Sequence, residues 1–338
     1  MKKALVLGSV IVAYGFLAAQ TADTKTTATA KSVASVNAFL ATLSPAQQSK
    51  LMFEFNDDKQ RVRWSNLPDS MAPRGGLKLG DLSEAQRKAA LGLLAVVLSK
   101  KGFEKVIGIM DGDEALKVST GGRGGMFGRD LYFISILGKP STTDPWMLQF
   151  GGHHLALNLT IAGSEGILTP SFTAAQPAKF MRNGEMVRPL GAENDKGFAL
   201  IGALDEGQRK QAILNYQVAD IVLGVGHDGK RIQPEGIIGS ALNARQQAML
   251  LDLVSEWVGI VNDATAAPRT AQIQASIAET WFAWSGPTVP GSAAYFRIQG
   301  PALVIEYSPQ KLGGDATQHI HTMYRDPTND YGRKPAAR

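Results

Sequence analysis

The residues of this sequence best suited to chemistry are its histidines. The chain has only five, and four of them stand in two short stretches: His153 and His154 in GGHHLALNLTI, and His319 and His321 in HIHTMYRDPTNDYG. Imidazole is the commonest side-chain ligand of transition metals. Two close pairs in a chain so poor in histidine therefore indicate a metal site.

The spacing within each pair predicts which rings point the same way. Side chains of an extended strand alternate between its two faces, so His319 and His321 would share a face. If GGHHLALNLTI is also extended, His154 lies opposite the leucines, while His153 shares their apolar face unless Gly151 and Gly152 bend the chain. We expect His154, His319 and His321 to be metal ligands, with His153 as a fourth ligand or a partner of one. Three imidazoles and an open position suit zinc or copper, and iron also fits.

The alternative is that these histidines are buried, hydrogen-bonded strand residues that hold no metal. The segment RDPTND, which follows the second pair, could assist a metal. It contains Arg325 and two carboxylates, Asp326 and Asp330. Either aspartate could orient a ligating imidazole or act as a base, so we treat all three residues as catalytic candidates. The competing interpretation is a proline-containing turn capped by Asp and Asn.

Composition excludes several other kinds of site. The chain has no cysteine, which rules out disulfides, thiolate metal sites and thiol nucleophiles. Neither a GxSxG elbow nor an HExxH helix is present, so the commonest hydrolase and zinc-protease templates do not apply. The glycine-rich GGRGGMFGRD from Gly121 lacks the Lys-Ser/Thr ending of a phosphate loop, and we expect a loop that could close over a ligand. The ligand would be a small molecule or a peptide.

The N-terminus predicts export. Lys2 and Lys3 precede the apolar run ALVLGSVIVAYGFLAA, and small residues follow, which is the pattern of a signal peptide over residues 1–22. We expect a flexible segment over 23–39 and a periplasmic or secreted protein, without a stable membrane span after cleavage. Without the two lysines the balance is 33 basic against 30 acidic residues. There is no basic stripe interleaved with aromatic residues, which argues against nucleic-acid binding.

One helix-start signal occurs four times along the chain and predicts helices of the fold that holds these residues. A cap residue is followed three positions later by glutamine, which is the pattern of a capping box. The four cap and glutamine pairs are Ser44 and Gln47, Ser83 and Gln86, Asp205 and Gln208, and Asn243 and Gln246. Each should begin an amphipathic helix, and we expect the glutamines to cap helices, not to bind substrate.

The spacing of the four signals predicts an internal duplication. Ser44 to Asp205 is 161 residues and Ser83 to Asn243 is 160. YFISI from Tyr132 matches YFRIQ from Tyr295 at an offset of 163, and the histidine pairs match at 166 and 167. We therefore expect an α+β fold with two related halves, 40–162 and 200–332, each with two capped helices and antiparallel strands. A loop-rich connector, 163–199, would join them, and a basic tail, 333–338, would follow.

Several longer stretches resemble a known family. FNDDKQRVRW, RGGLKLGDLSEAQR, FGRDLYFISILGKPS, PWMLQFGGHHLALNLTI, TPSFTAAQPA, RPLGAENDKG and HIHTMYRDPTNDYG together resemble the bacterial family named domain of unknown function number 3500. The resemblance spans nearly all of the chain after the leader. It implies a protein that is often exported, and it implies no reaction.

Two hypotheses follow from these residues. The first is an exported enzyme, a metal-dependent hydrolase or oxidase, with a histidine-bound metal between the two halves. The second is a binding protein that takes up a metal or small ligand without turnover. An open coordination position favours the first, and a closed site with four ligands favours the second.

Overall fold

The computed structural model describes residues 28–121 and 125–334, so the predicted signal peptide and the end of the basic tail lie outside the described residues. The helices are α1 (28–40), α2 (Pro45–Leu51), α3 (Asp58–Arg61), α4 (Glu84–Val97), α5 (Lys100–Ser119), α6 (Gly191–Ala203), α7 (Glu206–Ala212), α8 (Ala244–Val258) and α9 (Asp263–Ala275). Over these ranges, no helix combines the length and apolar character needed to cross a membrane.

The strands form one large sheet and one small hairpin. They are β1 (Met52–Phe53), β2 (Leu77–Lys78), β3 (Phe133–Leu137), β4 (Trp146–Gly152), β5 (Leu155–Ala162), β6 (Glu165–Ala175), β7 (Phe180–Arg182), β8 (Glu185–Val187), β9 (Ile237–Ile238), β10 (Trp281–Ser285), β11 (Tyr295–Gly300), β12 (Leu303–Pro309) and β13 (Ile320–Arg325). The large sheet has the order β1-β3-β4-β5-β6-β13-β12-β11-β10-β9, with β2 paired to β3 and the hairpin β7-β8 apart. Helices and a mainly antiparallel sheet confirm the α+β class.

All four predicted capping boxes are present. The cap residues of α2, α4, α7 and α8 accept from the glutamine backbone N–H, and each glutamine side chain accepts from its cap backbone. The glutamine amides also bind one another in pairs: Gln47 Nε2 donates to Gln86 Oε1 at 3.2 Å, and Gln208 Nε2 donates to Gln246 Oε1 at 3.0 Å. The glutamines therefore join neighbouring helix starts, and they are structural as expected.

The sheet is buried on both faces. Alternate residues such as Ile134, Leu148 and Leu157 pack against the helices in the larger core. Their neighbours on the opposite face, including Phe172 and Ala174, join a smaller core with Trp64, Met323 and Tyr331. This second face carries part of the candidate site, because His321 is paired with Ala174 across the β6-β13 ladder.

Two segments predicted as irregular are regular. Residues 28–40 are helical, so the expected flexible segment over 23–39 is wrong for its described part: Val36 and Phe39 are fully buried in the core. The connector 163–199 is not loop-rich either, since it contains β6 and most of α6. Pro170 is tolerated inside β6 because it lies at a register shift opposite Asn158, where the ladder needs no donor.

The order β2-α4-α5-β3-β4-β5-β6 recurs later in the chain as β9-α8-α9-β10-β11-β12-β13. The strand match proposed from the sequence is wrong, however. Tyr132 immediately precedes β3, the first strand after the helix pair, whereas Tyr295 begins β11, the second such strand. The histidine pairs are not equivalent either, because one lies between β4 and β5 and the other at the start of β13.

Candidate metal centre

Three histidines meet at one end of the central strands. His153 and His154 form the two-residue turn between β4 and β5, where Gly152 pairs with Leu155. The chain therefore bends here, which is the alternative that the two glycines left open, and His154 takes a left-handed conformation with φ 65°. The backbone carbonyl of His154 accepts from Ala174 N at 2.9 Å.

Ala174 connects the turn to the second histidine pair. It lies on β6, and on its other side it is the register partner of His321 on β13. His319 directly precedes β13 in an extended conformation, so its side chain is on the same side of the strand as that of His321. The turn, β6 and β13 thus lie side by side, and this order brings residue 154 next to residues 319 and 321.

The ring nitrogens converge. His319 Nε2 lies 3.1 Å from His154 Nε2 and 3.0 Å from His321 Nε2. One ligand atom from each of the three residues lies within 4.8 Å of the others. Two nitrogens bound to one tetrahedral zinc at ~2.1 Å would be roughly 3.4 Å apart, so small movements suffice to place an ion between them. The three residues predicted as the best ligands are the ones that meet.

The hydrogen bond of His319 Nδ1 fixes the tautomer of the ring. Its Nδ1 is 2.8 Å from the carbonyl oxygen of Leu312, an acceptor, so Nδ1 carries the proton. In the neutral ring Nε2 then presents a free lone pair toward the other two imidazoles. A backbone carbonyl in this position is one of the common partners of a metal-ligating histidine.

Burial keeps these rings in the metal-binding form. The three histidines expose 3–5% of their surface. Burial lowers the pKa of His154 well below its usual value, and the charges of the neighbouring histidines lower it further. Burial likewise lowers the pKa of His319 to about 4, against the opposing effect of the Leu312 carbonyl. Both rings are therefore neutral at neutral pH, as metal binding requires.

His153 is close to this group without joining it. Its Nδ1 is 2.6 Å from Asp113 Oδ1, and its ring stacks on that of His154 with centroids 3.6 Å apart. Asp113 Oδ2 in turn accepts from Gly128 N at 2.8 Å, and the Phe127 ring lies 4.9 Å from that of His153. The described end of the glycine-rich loop thus contacts His153, which supports the turn and is not a fourth converging ligand.

The predicted catalytic residues lie at the far end of β13 and in the turn that follows it. Arg325 is four residues beyond His321, or about 13 Å along a strand. Its guanidinium contacts Asp330 and donates to Asp228 Oδ1 at 2.9 Å. Asp326 accepts from the Thr328 backbone N–H and pairs with Arg269 at 3.0 Å. Arg325, Asp326 and Asp330 thus belong to a turn and its ion pairs, which was the competing interpretation, and neither aspartate orients one of the converging imidazoles.

The carboxylates that do lie near the histidines were missed. Asp113 stands in the middle of α5, and Asp220 Oδ1 lies 3.6 Å from His321 Nδ1. No motif marks either one. The sequence does contain a weak indication for a third acidic residue, Glu306. It stands inside the apolar strand LVIEYSP, where a charged side chain must be buried together with hydrogen-bond partners.

A comparison with models of protein families shows to which family the chain belongs. The model of a family described as a protein of unknown function (DUF3500) matches residues 25–333. The chain belongs to this family. The resemblance read from the motifs is thereby confirmed over nearly the whole chain. No curated protein and no solved structure matches it, so the site must be interpreted from its own geometry.

Proposed function

We propose that His154, His319 and His321 bind one transition-metal ion, with zinc or copper as the best candidates and iron as a further one. The observation that carries this proposal is the convergence of the three Nε2 atoms, with the Nδ1 proton of His319 held by a carbonyl oxygen. Imidazole nitrogen is a good ligand for each of these metals. The donor set contains no sulfur and therefore does not decide among them.

The number of converging ligands favours catalysis over a purely structural role. Structural zinc sites generally have four protein ligands, whereas catalytic sites commonly have three and keep one position for water or substrate. Three neutral imidazoles also leave the charge of a divalent ion uncompensated, and such an ion supplies strong Lewis acidity or, for copper and iron, redox chemistry. We therefore propose a metal-dependent hydrolase or oxidase that acts on a small molecule or a peptide.

The second candidate is a protein that binds a metal or small ligand without turnover. The low exposure of all three histidines favours this candidate, because a catalytic metal needs access for a substrate. The two functions differ in whether the bound ion keeps an exchangeable position. Binding of azide or cyanide to the copper-loaded protein, followed by absorption and electron paramagnetic resonance, would separate them. A change in the spectrum supports catalysis, and an unchanged spectrum supports binding alone.

Metal analysis tests the site itself. Purified wild-type protein incubated with zinc and then desalted should retain one equivalent, whereas His319→Ala and His321→Ala should retain less than about one tenth of that. The matched control is His227→Ala, because His227 is exposed and outside the convergent group. Retention of a full equivalent by either ligand variant contradicts the proposal.

We also propose that the protein is exported after cleavage of residues 1–22. The charged start, apolar run and small residues of the N-terminal sequence support this proposal. Mass spectrometry of the protein from a periplasmic extract should give an N-terminus between Gln20 and Lys25. Soluble protein that retains Met1 would contradict export by this route.

We further propose that the two halves arose by duplication. The recurrent order of two helices and five strands and the matching pairs of capping glutamines support it. The metal site is then not symmetric, because the turn equivalent to His153 and His154 is Pro301 and Ala302 between β11 and β12. Superposition of 77–162 on 237–309 should align α4 with α8, and a different packing direction for these helices would contradict it.

A further inference from the structure

The outer nitrogen of His321 lacks a hydrogen-bond partner. Its Nδ1 is buried and makes no hydrogen bond with the described residues. An ion bound at Nε2 would take the lone pair there, so a neutral His321 would have to carry its proton on Nδ1. A buried donor without an acceptor is unfavourable, because nothing replaces the water it has lost. Metal binding at this residue therefore calls for an acceptor beside Nδ1.

The carboxylate of Asp220 is placed to be that acceptor. Its Oδ1 lies 3.6 Å from His321 Nδ1, which is within one small side-chain movement of a hydrogen bond. The same oxygen accepts from Gln310 Nε2 at 2.7 Å and from Ile221 N at 2.6 Å. The side chain of Asp220 is 56% exposed, against 7% for His321, so the carboxylate lies between the buried imidazole and solvent.

The segment that carries Asp220 is held by a buried glutamate. Glu306 on β12 is 0% exposed, and its two oxygens accept from the backbone N–H groups of Val222 and Leu223 at 2.7 and 2.8 Å. The Tyr295 hydroxyl donates to the same carboxylate at 2.7 Å. Three donors compensate the buried charge, and in return the carboxylate fixes the backbone two residues beyond Asp220.

We propose that Asp220 is a positioning residue for His321: its carboxylate accepts a hydrogen bond from His321 Nδ1–H when metal is bound, and Glu306 holds the segment that carries Asp220. This inference rests on the proposed metal site. A carboxylate behind a ligating imidazole orients the ring and raises its basicity. It also places one negative charge beside an ion whose three protein ligands are neutral. The roles of Leu312 for His319 and Asp220 for His321 are then the same, with a carbonyl in one case and a carboxylate in the other.

The test compares zinc affinities measured by competition with a chromophoric chelator. Asp220→Asn should weaken binding roughly 10–100-fold, which is the usual effect of losing an outer partner of a ligand. Asp220→Glu should recover part of the loss, because it keeps the charge on a longer side chain. Glu306→Gln should weaken binding less, because it loosens the segment without removing the acceptor. The matched control is Asp263→Asn, an exposed aspartate at the start of α9.

A second readout separates positioning from a general structural effect. In the zinc-loaded wild-type protein, nuclear magnetic resonance should show a protected, downfield Nδ1 proton for His321, and Asp220→Asn should remove its protection while that of His319 stays. If Asp220→Asn binds zinc within twofold of wild type and keeps this proton protected, the inference is wrong although the metal site stands. If His319→Ala still retains stoichiometric zinc, the proposed function itself fails. An unchanged affinity in a folded Glu306→Gln variant overturns the role of Glu306 alone.

Discussion

Zinc binding at the three histidines should raise the melting temperature of the wild-type protein. At free zinc 100 times above the dissociation constant, the folded state gains about 2.7 kcal/mol. Roughly 300 described residues with an unfolding entropy near 2.1 cal/mol/K each give about 0.6 kcal/mol/K, so the expected rise is about 4 °C. A smaller rise at this ratio would mean that zinc also binds the unfolded chain.

Loss of one ligand should remove most of this rise. His319 is the best choice, because its Nε2 is the atom that lies within 3.1 Å of both other rings. We expect a rise below about 1 °C for His319→Ala, since two ligands alone bind weakly and the ion cannot reach a third imidazole. The buried cavity left by the substitution lowers the melting temperature of the metal-free variant as well, and the difference between loaded and free protein cancels that cost.

The assay is differential scanning calorimetry of each protein with zinc and with a chelator. His227→Ala is the control and should show the full rise, because its exposed ring is not in the convergent group. An equal rise in His319→Ala and wild type would refute the reasoning, because the ion would then bind elsewhere. No rise in wild type with zinc, copper or iron would refute the site.

Three further predictions concern stability and the turn. Lys105→Met should destabilise the protein by about 3–5 kcal/mol in urea unfolding, because the buried carboxylate of Glu193 loses the ammonium 2.5 Å away, and adding Glu193→Leu should restore most of the loss. Burial raises the pKa of Asp330 to about 6, so the folded state binds this proton more tightly than the unfolded chain. The free energy of unfolding should therefore fall as pH rises from about 4 to about 6, and Asp330→Asn should flatten this dependence in a chemical-denaturation series. Gly152→Ala would place a β-carbon 2.8 Å from the Tyr132 ring. We expect this clash to destabilise the protein by about 1–3 kcal/mol and to weaken zinc binding, because it shifts the β4-β5 turn. An unchanged melting temperature and an unchanged zinc titration would show that the turn has room for the methyl group.

Features that depend only on residues close along the chain could be predicted from the sequence. A cap residue and a glutamine three positions later satisfy each other's backbone groups, so four helix starts could be placed from the pattern. The HxH spacing likewise placed His319 and His321 on one side of a strand, because side-chain alternation is a local property. The scarcity of histidine then singled out the residues that meet at the candidate site.

Local patterns predicted the wrong conformation where a segment is compatible with two conformations. Residues 28–40 are rich in alanine, serine and threonine, and they are helical because Val36 and Phe39 find a core to pack against. GGHHLALNLTI has the alternation of a strand, yet its histidines are the turn, because the strand on each side pairs with the other. The choice in both cases depends on partners distant in sequence.

Which residues share the site depends on strand pairing between distant parts of the chain. Residues 154 and 319 become neighbours because β6 pairs on one side with β5 and on the other with β13, and no spacing along the chain encodes that ladder. The same pairing leaves Arg325 and Asp330 a strand's length from the histidines. Asp113 and Asp220 arrive from a helix and a loop, and a lone aspartate carries no local signal of the imidazole it will face. The three converging histidines could be predicted from residue type and spacing, whereas their partners depend on long-range packing.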